Sequence, residues 1–217
     1  MAWGLKFLAD NQGVQDKLRF ELQSAHAEEK NRKRLPSAAK IIGTAVHYLE
    51  AIVEEIIRCS LTESAVMRTA MADVEVLGHR IPKGTEVFFM GNGPSVFAPP
   101  FEIEESLRSP SFNSSKEKIG SWDTTDMAAF KPERWLVDAE GRKAFDPAAE
   151  PLLTFGLGER GCYGRKLSYV EMRIFLTLII WKFELHKCLE KLSSYEAIDK
   201  MTHGPAQCYV KLVKVAL

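Results

Sequence analysis

The chain has 217 residues, 46% of them hydrophobic and 27% charged, enough for one large globular domain or two small ones. Lys+Arg and Asp+Glu both number 29, so the formal net charge is +0 and the basic excess of a general nucleic-acid binder is missing. Cys59, Cys162, Cys188 and Cys208 form no C-x-x-C pair, which argues against a zinc site or a disulfide framework and makes a reducing compartment the default.

Residues 1–30 read as helix. Trp3, Phe7, Val14, Leu18 and Leu22 recur at helical spacing, and Gly13 marks a break between two helices. This amphipathic start lacks the long apolar core of a signal peptide or membrane anchor. Glu28 to Arg34 is a charge run, expected to be a solvated linker. Residues 45–59 predict a second helix with an apolar stripe of Tyr48, Leu49, Ile52, Ile56 and Cys59. On it Glu55 and Arg58 are three apart and share a face, and Glu54 is placed to pair with Arg58 at i+4.

Residues 73–89 predict a β-hairpin region: Val74, Val76, Val87 and Phe89 are strand formers, with turns at Gly78 and Pro82-Lys83-Gly84. Residues 91–126 are loop-rich, with a polar tract from Ser109 to Ser121. Phe130-Lys131-Pro132-Glu133-Arg134-Trp135 starts a short helical segment, spanning 130–136. Residues 165–183 carry Leu167, Val170, Ile174, Phe175, Leu178 and Trp181 at helical spacing. Their most apolar run, Ile174 to Trp181, is too short to span a bilayer. Residues 183–217 close the chain with strands around Phe183, Leu185 and Tyr209 to Val213, and His203 falls in the turn between them.

The chemistry concentrates in residues 155–164, Phe-Gly-Leu-Gly-Glu-Arg-Gly-Cys-Tyr-Gly. Glycines let such a loop approach a flat ligand closely. Cys162 stands just before a helix, where backbone N–H groups and the helix dipole favour a thiolate. A thiolate held by backbone donors suits a soft, redox-active metal. Arg160 offers a fixed charge to a carboxylate on whatever carries that metal.

This loop resembles the haem-binding loop of cytochromes P450, F-x-x-G-x-R-x-C-x-G, with Phe155, Gly158, Arg160, Cys162 and Gly164 in register. Other stretches resemble the same family. Residues 3–22 look like the end of its central helix and the next helix, with Gln12 where a proline is common. Glu55 and Arg58 match its E-x-x-R helix. Gly78 to Thr85 resembles G-Y-x-I-P-K-G-T, and Phe130 to Trp135 resembles F-x-P-E-R-W. The Ser/Asn/Lys-rich insertion before that last motif is similar to filamentous-fungal members.

The resemblance implies a mainly α fold with small β-sheets (α+β), as a single partial P450 domain over 1–217. It implies haem b as cofactor and Cys162 as axial iron ligand. Phe155, Gly158, Arg160 and Gly164 would line the haem and Arg68 would meet a propionate. Glu55, Arg58 and Arg134 would join in a buried ion network. Glu171 stands where the family often has a glutamate. The implied activity is insertion of oxygen into a lipophilic small molecule, in secondary metabolism. Electrons would come from NADPH-cytochrome P450 reductase. Relatives of this type are usually anchored in the endoplasmic-reticulum membrane. Met1 falls just past the family's oxygen-activating acid and alcohol pair, so a truncated, poorly active chain is the expectation. The alternative is a non-catalytic fragment that binds haem weakly or acts as an interaction protein.

Overall fold

The computed structural model describes residues 1–91, 93–115, 122–152, 154–156, 158–200 and 202–215. Within them the chain is α+β: seven α-helices and five two-stranded antiparallel sheets. The helices are α1 (Ala2–Asp10), α2 (Gln12–Ala25), α3 (Ala27–Asn31), α4 (Ala38–Gly43), α5 (His47–Ser60), α6 (Pro110–Ser115) and α7 (Arg165–Lys182). The strands are β1 (Ala65–Thr69), β2 (Val74–Val76), β3 (His79–Ile81), β4 (Glu86–Met90), β5 (Leu136–Ala139), β6 (Arg142–Phe145), β7 (Phe183–Lys187), β8 (Ala197–Asp199), β9 (His203–Pro205) and β10 (Val210–Lys214).

Helix α5 is the axis of the core. It contains neither Gly nor Pro, and it stops where Leu61 takes a left-handed conformation, φ 46°. Eleven of its fourteen residues are buried, charged ones included. Against it pack Trp3, Phe7 and Leu8 of α1, Leu18 and Leu22 of α2, and Leu176, Ile180 and Trp181 of α7. α1 approaches α5 tightly at Gly4, where a Cβ would lie 2.8 Å from Ile56 Cδ1.

The break near the N-terminus falls at Asn11, not at Gly13, which sits in the first turn of α2. The Asn11 side-chain amide donates to the Phe7 carbonyl at 2.8 Å, competing with helix continuation. Gln12 and Gln15 then tie this corner to β7. Both side-chain amides donate to the Leu185 carbonyl, at 2.7 and 3.0 Å, and the Leu185 N–H donates to Gln15 Oε1 at 2.8 Å.

The charge run from Glu28 to Arg34 is not a solvated linker. Its first half is α3, and Glu29 is buried, paired with Lys40 and Arg34. Burial is tolerable there because two cations meet the carboxylate.

The hairpin region is a nest of two pairs. β2–β3 turns at Leu77-Gly78, both with positive φ, the geometry a two-residue hairpin needs. β1 pairs with β4 outside it, Arg68 opposite Val87. Between β4 and β5 the chain is irregular apart from α6 and single helical turns, and residues 116–121 of the polar tract lie outside the described residues. The 130–136 segment is one 3-10 turn, Pro132–Trp135, running directly into β5.

In α7 the buried face differs from the expected stripe. Leu176, Thr177, Ile180 and Trp181 are buried, whereas Leu167 and Phe175 are exposed. From Ile174 to Trp181 the helix is apolar on nearly every side, so hydropathy alone did not orient it. β7 continues from its end and pairs with β10, Leu185 opposite Leu212. His203 is on β9 and half-buried, its Nδ1 2.7 Å from Asp199 Oδ1, and its ring stacks on Trp3.

Candidate functional site

The first half of the site is a network of charges beside α5. Burying three ionised groups is unfavourable unless every charge is paired and hydrogen-bonded. That condition is met. Arg58 donates to both oxygens of Glu55, from Nε at 2.9 Å and from Nη2 at 2.7 Å. Both side chains have no exposed surface. The remaining Arg58 donors reach the carbonyls of Val96, Met127 and Ala129 at 3.1, 2.8 and 2.8 Å. Arg134 Nε donates to Glu55 Oε1 at 3.2 Å, while its Nη1 meets Asp126 Oδ1 at 3.1 Å. Glu55 also accepts from the Lys131 N–H at 2.8 Å and from Trp135 Nε1 at 3.0 Å. Glu55, Arg58 and Arg134 are thus in one cluster, from segments far apart in sequence. The intrahelical pairing of Glu54 with Arg58 does not form; Glu54 accepts instead from Tyr169 Oη at 2.6 Å.

Two carboxylates at this network carry no sequence signal. Asp126 pairs with Arg134 and Lys131, and its carboxyl is held below the usual range chiefly by its hydrogen bond from Lys131. Glu150 lies near the same charges. Its Oε2 is buried with no hydrogen-bond partner among the described residues, and burial pushes its carboxyl up to about 7. Neither follows a spacing rule, because both approach the network from loops.

The second half is the cysteine loop. Gly156 and Gly158 have φ of +65° and +66°, the left-handed region that favours glycine. That path folds the loop back so that the Cys162 N–H donates to the Phe155 carbonyl at 2.8 Å. The Gly161 N–H donates to the Gly158 carbonyl at 3.0 Å. Leu157 lies outside the described residues. Gly164 is the N-cap of α7; a Cβ there would sit 3.8 Å from Cys162 Sγ, an ordinary contact, so sterics alone do not require glycine.

Cys162 is exposed and faces a cleft of about 720 Å³. Ile56 and Ile57 of α5, Val66 and Met67 of β1, and Met172 and Phe175 of α7 give the cleft apolar walls. Phe155, Arg160, Arg68, Ser168 and Glu171 also line it; Gly158 and Gly164 do not. Among the described residues Arg68 donates only to the Met67 carbonyl, and neither Arg68 nor Arg160 has a carboxylate partner. By contrast, burial pushes the Cys59 thiol up to about 12, so that cysteine stays protonated.

An iron porphyrin asks for one soft axial ligand, apolar walls for the macrocycle and cations for two propionates. One exposed thiol, an apolar cleft and two arginines without carboxylate partners fit that demand. No group of three or more potential metal-ligating side chains occurs among the described residues. No helix among them is long and apolar enough to cross a membrane.

Comparison with known proteins gives the same direction. The chain is 44% identical to cytochrome P450 monooxygenase TRI13 of Fusarium sporotrichioides over 99% of its length, which is 39% of that protein. It is 37% identical to the Hps1-dma1 cluster cytochrome P450 monooxygenase cyp3.1 of Dothistroma septosporum, over 98% of this chain and 71% of the relative. Identity to cytochrome P450 monooxygenase xilC of Penicillium rubens is 43%, over 98% of this chain and 36% of the relative. The chain therefore spans less than two fifths of the length of two of these three relatives. The cytochrome P450 family profile matches residues 1–102 and 126–204. With the cysteine loop, the buried E-x-x-R pair and most of the chain matched, this protein belongs to the cytochrome P450 family.

Proposed function

We propose that these residues form the thiolate-bearing side of a haem-thiolate monooxygenase site. The observation that carries this reading is the convergence of Cys162, Phe155, Arg160 and Arg68 on one apolar-walled cleft. The family carries haem b as its cofactor. Cys162 is assigned as the axial ligand, Arg160 and Arg68 as partners of the two propionates, and Phe155 as a cover over the thiolate. Gly158 shapes the loop around them, and Gly164 caps the helix that follows. Glu55, Arg58 and Arg134 act at a distance, fixing the segment that leads from α5 through β5 to the loop.

When bound, the iron supplies the chemistry that inserts one oxygen atom of O₂ into a C–H bond. The chain's own residues hold the macrocycle, neutralise its carboxylates and shield the sulfur. The substrate class is a lipophilic small molecule, in keeping with an apolar cleft. A role in fungal secondary metabolism is supported by the relatives named above, one of which is named for a gene cluster. Electrons would enter from the cysteine side through NADPH-cytochrome P450 reductase.

A second reading has its own support. Cys162, Arg160, Arg68 and Phe175 are all exposed, so a macrocycle seated on these residues alone meets water. Assayed alone, the 217-residue chain is then a weak haem binder with little monooxygenase activity. Reconstitution with haem, reduction and addition of CO tests both readings. A Soret band of the thiolate-ligated type, lost in Cys162→Ala, supports the ligand assignment. A soluble, folded chain without that band overturns it. Turnover of a lipophilic probe substrate by the reconstituted chain with reductase would overturn the second reading.

A further inference from the structure

Glu54 and Glu55 are neighbours on α5, both buried, and point about 100° apart around the helix. Glu55 is used up by the ion network. Glu54 turns to α7, where it accepts a 2.6 Å hydrogen bond from Tyr169 Oη. Its burial opposes ionisation, and the hydrogen bond from Tyr169 and the charge of Arg165 offset part of that cost. A buried acceptor with a single short partner fixes that partner well.

Tyr169 in turn touches both residues that hold Cys162. Its ring packs on Phe155, with centroids 5.7 Å apart and planes tilted by 44°. The Arg165 guanidinium lies 5.6 Å from the centre of the same ring. Phe155 and Arg165 are the two backbone partners of the cysteine. The Cys162 N–H donates to the Phe155 carbonyl at 2.8 Å, and the Arg165 N–H donates to the Cys162 carbonyl at 3.3 Å. Both main-chain polar groups of Cys162 are therefore tied to residues whose side chains rest on one tyrosine.

We propose that Tyr169, anchored by Glu54, is a positioning residue for Cys162. It couples the thiol-bearing loop to the buried helix that also carries the ion network. The inference rests on the reading of Cys162 as the haem ligand, but the bracing exists with or without haem. A ligand sulfur must be held within a few tenths of an ångström by groups that are themselves locked. An exposed loop rich in glycine does not supply that rigidity; a ring clamped by a buried carboxylate does.

The test combines hydrogen exchange at the Cys162 amide in the haem-free chain with the reduced CO spectrum after reconstitution. Tyr169→Leu is expected to speed exchange at that amide by about tenfold, with α1 and α2 unchanged, because only the local opening becomes easier. In the CO spectrum it should move signal from the thiolate-type band to the neutral-thiol type. Tyr169→Phe and Glu54→Ala should give smaller effects in the same direction, since each removes the same hydrogen bond. Glu54→Gln keeps an acceptor and should restore near wild-type behaviour, whereas Glu54→Leu keeps the volume without an acceptor and should behave like Glu54→Ala.

Exchange within about twofold of wild type in Tyr169→Leu, together with an unchanged spectrum, overturns the proposal. Should that variant not fold, wild-type behaviour in both Tyr169→Phe and Glu54→Ala overturns it equally. A wild-type chain lacking the thiolate band defeats the haem reading alone, because exchange on the haem-free chain still decides the bracing.

Discussion

The two sides of the molecule that meet at α5 are built on opposite terms. On one side, the helical core and the ion network are closed. Arg58, Glu55, Trp135 and Leu176 have no exposed surface, and the Glu55 and Arg58 charges are matched by donors and acceptors with near-ideal distances. On the other side, the cysteine cleft is open: its thiol and both arginines face solvent. Stability is invested in the first and chemistry is left accessible in the second. A shared helix lets the rigid side orient the exposed one.

Substitutions separate the two sides. The largest loss of stability is expected from Arg134→Ala, which takes one cation from the buried Glu55 carboxylate and from the half-buried Asp126; about 3–5 kcal/mol should be missing in denaturant unfolding. A loss below about 1 kcal/mol would mean that the network is more hydrated than its geometry implies. Gly4→Ala sets a Cβ 2.8 Å from Ile56 Cδ1 and should cost roughly 1–3 kcal/mol by overpacking. Thermal melts of the two variants then rank charge against packing on the closed side.

Glu150 gives a smaller, pH-dependent effect. Its carboxyl is raised from 4.5 to about 7 in the folded chain. The folded state then keeps a proton that the unfolded chain releases. This contribution is present below the unfolded value and is lost as pH rises from 4.5 through about 7. Glu150→Gln should remove that slope and be the more stable form by roughly 1 kcal/mol at about pH 8, with little difference near about pH 4. Parallel unfolding curves at both pH values would refute it. The smallest effect belongs to the open side. Cys162→Ala should change unfolding free energy by less than about 0.5 kcal/mol, as for other exposed positions, while abolishing the thiolate-type haem spectrum. A large loss of stability would show that the cysteine has a structural role as well.

What was legible in the sequence follows the reach of each interaction. Glu55 and Arg58 share one helix face, so their spacing announces the pair. The glycines around Cys162 announce a tight loop, because the positive φ at Gly156 and Gly158 leaves few other residue types. α5 was readable from its stripe, and the element types and order of the hairpins from their turn residues. The unread parts depend on distant partners. Glu54 is held by a tyrosine 115 residues away, and Glu29 is buried only because Lys40 folds back over it. Glu150 and Asp126 reach the network from irregular segments with no period to betray them. In α7, apolar residues on nearly every side from Ile174 to Trp181 concealed which of them met the core. The geometry of Arg134 against Glu55 came with the P-E-R-W segment, but the 3-10 turn that aims it has no sequence mark beyond its proline.

The carboxylate of Glu55 also sets a timetable. It precedes Lys131, Arg134 and Trp135 by 76, 79 and 80 residues. At the usual pace of translation, on the order of ten seconds pass between its synthesis and that of its last donor. During that interval α5 cannot bury its charged side without stranding an ion, so water must serve as the interim partner. Nascent chains halted before residue 131 should therefore leave the charged side of α5 open to protease, and release of residues 131–135 should close that side, while the apolar side awaits α7. A chain already protected at the earlier arrest would show that Arg58 alone satisfies the glutamate. The order in which this protein becomes solid would thus be written into a single acidic side chain, made early and completed late.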